Sequence, residues 1–69
     1  MIDEKTLPIY IQKDIKNFLK AKKNNDLSVS DWWCELYGSI NSAQHNYEIS
    51  EEVAWYLRKK YLEIDRNDL

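Results

Sequence analysis

Between Leu7 and Leu19 the apolar residues return at steps of three and four. On a wheel of about 100° per residue, Leu7, Ile11, Ile15, Phe18 and Leu19 share one side, while Lys13, Lys16, Lys20 and Lys23 occupy the other. Pro8 stands where such a helix begins, because its fixed φ suits a first turn and its ring pushes Leu7 out of helical geometry. The pattern predicts a helix over 8–23. Asn24-Asn25-Asp26 ends it, since these side chains compete for backbone hydrogen bonds and accept turn geometry.

A second stripe follows in Val29, Trp33, Leu36, Ile40 and Ala43, with Trp32 and Tyr37 on its shoulders. Ser28 or Ser30 offers an N-cap, with Ser28 preferred, and Asp31 and Glu35 place negative charge near the positive end of the dipole. This predicts a helix over 29–44, with Cys34 and Gly38 off the apolar stripe. His45 to Ile49 reads as a connector. Ser50 then caps a third helix over 51–64, with Glu51 and Glu52 in its first turn and Ile49 and Ala54 at the staple positions. Val53, Tyr56, Leu57, Tyr61 and Ile64 form its stripe, which leaves Trp55 and Leu62 together on another side.

Three amphipathic helices with short connections predict an all-α three-helix bundle. The expected centre is Ile15, Phe18, Trp33, Leu36, Ile40, Val53 and Leu57, with segments 1–6 and 65–69 fraying. At 69 residues, 43% hydrophobic and 32% charged, the chain is one small soluble domain, 1–69, too short for a second core. One Gly and one Pro exclude a Walker loop, a dinucleotide fingerprint, a collagen-like repeat and a turn-rich all-β fold.

The lone Cys34 cannot close an internal disulfide, which fits a reducing cytoplasm. The acidic start Met1-Ile2-Asp3-Glu4-Lys5 does not resemble a secretory signal, no C-terminal sorting or lipid motif stands at Asp65 to Leu69, and no apolar run approaches a membrane span. No membrane role is expected. Nor is catalysis or a cofactor: Cys34 and His45 are eleven positions apart with no third group to orient them, and together they fall short of a zinc set. Glu48, Glu51 and Glu52 lack the spaced Asp/Asn loop and glycine of a calcium site.

Charge redirects attention to surfaces. The formal net charge is only -2, yet residues 1–25 hold six basic and three acidic groups, 26–52 hold six acidic and no basic groups, and 53–69 hold four and three. Trp32, Glu35 and Tyr37 belong to that acidic, aromatic middle, which suits a partner protein with a basic surface. A second candidate patch is Trp55 and Leu62 with Arg58 beside them, expected to bind a partner or a second copy as a homodimer. The alternative, in which the segments Met1–Leu7 or those through Leu69 fold over that patch, makes it core.

Lys13, Lys16, Lys20 and Lys23 carry the alternative of a nucleic-acid interface through phosphate contacts. It is the weaker reading. That helix has no arginine, and a helix-turn-helix would present Glu51 and Glu52 to the phosphates at the start of its reading helix. The expectation is therefore a non-enzymatic protein-binding module of the adaptor, inhibitor, antitoxin or immunity type, ahead of a nucleic-acid binder and a self-assembling structural protein.

Overall fold

A computed structural model describes residues 2–68 and shows three helices: α1, Ile9–Lys23; α2, Val29–His45; and α3, Glu51–Leu62. Single 3₁₀ turns flank them at Glu4–Thr6 and Arg66–Asp68. The chain is an all-α three-helix bundle, with no strand among the described residues. Of the segments 1–6 and 65–69, expected to fray and in the alternative to cover the third helix, Met1 and Leu69 lie outside the described residues.

Each helix starts where the local chemistry supplies a partner. Pro8 caps α1, with its carbonyl accepting from the Ile11 and Gln12 amides at 3.0 and 3.1 Å. Ser50 Oγ accepts from the Val53 amide at 3.1 Å, as expected of an N-cap before two acids. Before α2 the expectation needs correcting. Ser28 occupies the cap position, but its side chain makes no capping bond; Asp26 organises the turn, its Oδ1 accepting from the Ser28 amide at 2.9 Å.

The helices end without glycine. Asn25, Tyr47 and Glu63 all take positive φ, near 51°, 61° and 58°. Helix α3 ends at Leu62, two residues before the expected 64, with Glu63 as its cap, and the Ile64 amide then reaches back to the Arg58 carbonyl at 3.2 Å. His45, expected in the connector, is the last residue of α2.

Leu7, Ile11, Ile15 and Phe18 are buried as expected, but Leu19 is 44% exposed and Ala21 is buried on the other flank of that stripe. From α2, Leu36, Ile40 and Ala43 are fully enclosed. Trp33 and Val53, expected at the centre, are only half-buried. The main departure is in α3, whose buried residues are Ala54, Leu57, Arg58 and Leu62. The expected stripe is turned by about one residue's rotation, roughly 100°. Tyrosine explains the shift, because its hydroxyl needs a polar partner and so Tyr56 and Tyr61 sit at the half-wet edge. Leu62, with no such need, takes the interior at 4% exposure.

Helix α2 packs against both neighbours, whereas α1 and α3 approach each other little. The α2–α3 seam is tied by Trp33 Nε1, which donates to the Leu62 carbonyl at 3.3 Å. Glu4 closes the other side of the molecule onto α3, accepting from Tyr61 Oη and Lys60 Nζ at 2.5 Å and from Tyr56 Oη at 3.1 Å. Partial burial raises the Glu4 pKa, but the bonds from Lys60, Tyr61 and Tyr56 outweigh it and hold the carboxyl below its ordinary value of 4.5.

Two outcomes follow. Leu36→Ala and Leu62→Ala should each cost about 2–5 kcal/mol in urea unfolding, while Leu27→Ala, at a position 97% exposed, should leave the midpoint unchanged. Glu4→Gln should lose about 0.5–1.5 kcal/mol at neutral pH. Because the folded pKa is lowered, the Glu4 contribution is complete above its ordinary 4.5 and fades as pH falls through the lowered value. The variant's acid limb should therefore be flatter in unfolding curves taken from about pH 7 to about pH 3.

Candidate functional site

The outer surface of α2, along its edge with α1, is built from what its packing leaves over. Cys34, Gly38 and Ser42 follow one another at steps of four, and a Cβ added at Gly38 would meet nothing within 4 Å. They floor a shallow trough of about 700 Å³, shared with Tyr10, Asp31, Glu35 and Ser39. A second hollow of about 500 Å³, lined by Ser28, Asp31, Trp32 and Glu35, joins it through its two acids. From Ser28 to Ser42 the combined surface runs about 21 Å along the helix.

Negative charge along this trough has no local answer. Among the described residues, Asp31 and Glu35 enter no ion pair; the pairs formed are Lys59–Asp65, Lys60–Glu4 and Arg66–Glu51. At the far end Tyr10 donates its hydroxyl to Glu48, whose hydrogen bond pushes the phenol up to about 12. Tyr10 and Glu48 are thus joined across the wall of the trough, a pairing that no spacing rule in the sequence indicates.

Trp32, Tyr37 and Glu35, expected to share one face, are only partly brought together. Trp32 and Glu35 line the same hollow. Tyr37 turns toward α3, its ring stacked on Trp33 with centroids 5.4 Å apart and planes 10° from parallel.

The patch expected from Trp55, Arg58 and Leu62 is corrected by burial. Leu62 lies in the core, as part of the α3 rotation, so Trp55 has no exposed leucine beside it. Trp55 is half-buried, with the Arg58 guanidinium 4.5 Å from its ring centroid and that of Arg66 at 6.0 Å. The stacking of Arg58 on Trp55 was legible; its burial was not. Arg58 is 7% exposed, and its Nη2 donates to Asn41 Oδ1 at 2.6 Å and Gln44 Oε1 at 2.8 Å. Burial lowers its pKa, opposed in part by Tyr37. Asn41 and Gln44 were missed because an amide on a helix carries no pattern until its partner is known.

Lys13, Lys16, Lys20 and Lys23 are all exposed along α1, and none enters an ion pair among the described residues. Cys34 and His45 are both exposed on α2, about 16 Å apart along its axis. Among the described residues no three His, Cys, Asp or Glu side chains gather around a metal position, and no helix is long and apolar enough to cross a membrane. Comparison with known proteins finds no matching family model, no matching curated sequence and no matching solved structure.

The Trp55 ring covers a desolvated cation, so Trp55→Ala should destabilise the fold by about 1–2 kcal/mol, and Trp55→Phe by less. Urea midpoints for both variants decide this. Equal midpoints for wild type and Trp55→Ala would show that the ring does nothing for the guanidinium.

Proposed function

We propose that the chain is a non-enzymatic protein-binding module whose α2 trough takes a basic segment of a partner. The observation that carries the reading is the pair of unmatched acids, Asp31 and Glu35, at the junction of two continuous hollows with Trp32 at the edge. Unmatched charge beside an aromatic side chain suits recognition: opposite charge steers the approach, and the flat Trp32 ring supplies contact area at low entropic cost. The floor of Cys34, Gly38 and Ser42 lets a partner helix or extended segment come close to the backbone. An adaptor, inhibitor, antitoxin or immunity protein would use such a face in the same way, and a cytoplasmic setting is consistent with its free thiol.

The unpaired lysine ridge of α1 supports a second reading, phosphate binding by Lys13, Lys16, Lys20 and Lys23. One experiment separates them. The chain is immobilised and exposed to native lysate with and without nuclease treatment, beside two variants. Asp31→Asn combined with Glu35→Lys should abolish capture; Asn at 31 is chosen because a lysine in the first turn of α2 would oppose the dipole. Lys16→Glu combined with Lys20→Glu should leave capture intact. Capture that survives the α2 substitutions sinks the proposal, and capture that requires nucleic acid and the lysines moves the assignment to the second reading.

A further inference from the structure

Arg58 is a buried cation without an anion. Among the described residues no carboxylate lies within 4 Å of it, its Nη2 is engaged by the neutral oxygens of Asn41 and Gln44, and its Nη1 is buried with no hydrogen-bond partner. Arginine this enclosed is ordinarily matched by a carboxylate or phosphate, because a desolvated charge is costly when answered only by neutral dipoles. The fold supplies the cation and withholds the counter-charge.

Next to it lies a hollow of about 310 Å³ lined by Asn41, Gln44, His45, Tyr47 and Arg58. No acid lines it. Since each amide gives its oxygen to Arg58, each keeps its NH2 as a donor, and neither nitrogen is engaged among the described residues. The guanidinium orients these amides, oxygen inward and N–H away, so they carry its field outward. His45 and Tyr47 add an imidazole and a hydroxyl at the rim. Tyr47 is 94% exposed and held at a φ of 61°, a left-handed conformation that a bulky side chain adopts at a cost. Nothing in the fold calls for a tyrosine at that position, which marks it as a contact residue.

We propose that this hollow binds a carboxylate group, held by the side-chain amides of Asn41 and Gln44 over the Arg58 guanidinium, with His45 and Tyr47 closing the rim. One fixed positive charge matches a monoanion. A phosphate brings about 1.5–2 negative charges, which a single cation at the carbonyl end of α2 balances poorly. The site lies on the α2–α3 seam, separate from the acidic trough, and stands or falls independently of it.

The test follows the side-chain amide resonances of Asn41 and Gln44 at fixed ionic strength during titration with three probes. N-acetylglycine presents a C-terminal carboxylate, N-acetylglutamic acid α-amide an acidic side chain, and N-acetylglutamine α-amide a neutral control. Saturable shifts with either acid and none with the control support the site, and the tighter acid identifies the source of the carboxylate. Gln44→Glu supplies the missing charge from within, so it should raise the thermal midpoint and weaken acid binding about tenfold or more. His45→Ala, at an exposed position, should weaken binding while leaving the midpoint in place. Equal shifts with the neutral probe, no shift with either acid, or unchanged binding in Gln44→Glu would overturn the proposal.

Discussion

Helix α2 must satisfy two neighbours that scarcely touch each other, and the rest of the structure depends on that constraint. In a bundle where every pair of helices packs, each needs one apolar stripe. Here the middle helix needs a wider one, with Leu36, Ile40 and Ala43 enclosed at its centre and a seam on either side. Successive residues stand about 100° apart, so Trp32 and Trp33 serve different seams. Trp32 borders Lys20 and Ala21 of α1, while Trp33 reaches the last turn of α3. What remains of the helix circumference is a narrow outer strip of small and acidic residues, and that strip is the trough.

The second seam explains why α3 is turned from its apparent apolar stripe. A tyrosine buries its ring readily but leaves a hydroxyl to be satisfied, and the nearest acceptor is Glu4. Placing Tyr56 and Tyr61 at the boundary lets that carboxylate take both hydroxyls, and it draws Lys60 into the same cluster. Rotation toward this edge moves Leu62 inward and brings Arg58 under Trp55. The long stem of arginine packs as an apolar chain would, but its head must then be answered inside the protein. Asn41 and Gln44 give that answer only in part.

The sequence was legible wherever apolar spacing and backbone chemistry agreed. The α1 stripe from Leu7 to Phe18, the enclosed Leu36 and Ile40, the Pro8 start and the Ser50 cap are all local rules expressed in the structure. It was illegible where one side chain carries both characters. Tyr56 and Tyr61 counted as apolar and lie at the edge, and Arg58 counted as polar and lies inside. Leu19 was misplaced for a different reason: it sits on the flank of the α1 stripe, and the direction of α2, which periodicity does not encode, decided that Ala21 would be covered instead. The candidate sites were legible as residue types, in the acids of the middle segment and the Arg58–Trp55 pair. Their grouping was not, since Tyr10 with Glu48 and Arg58 with Asn41 and Gln44 are contacts between separate elements.

Several features of α2 and its surroundings would each be removed by selection for stability alone. Gly38 weakens a helix interior, where alanine would fit into open space. Tyr47 holds a left-handed conformation just after α2. Arg58 brings a full charge into a seam that an aliphatic side chain could fill. A bundle of 69 residues has little stability to spare, because so much of its chain remains at the surface. Two of these features border the Arg58 hollow and one lies on the floor of the trough. Functional sites are where local rules are expected to yield. On physical grounds alone, therefore, the surfaces to pursue for binding are the outer strip of α2 and the end of its seam with α3.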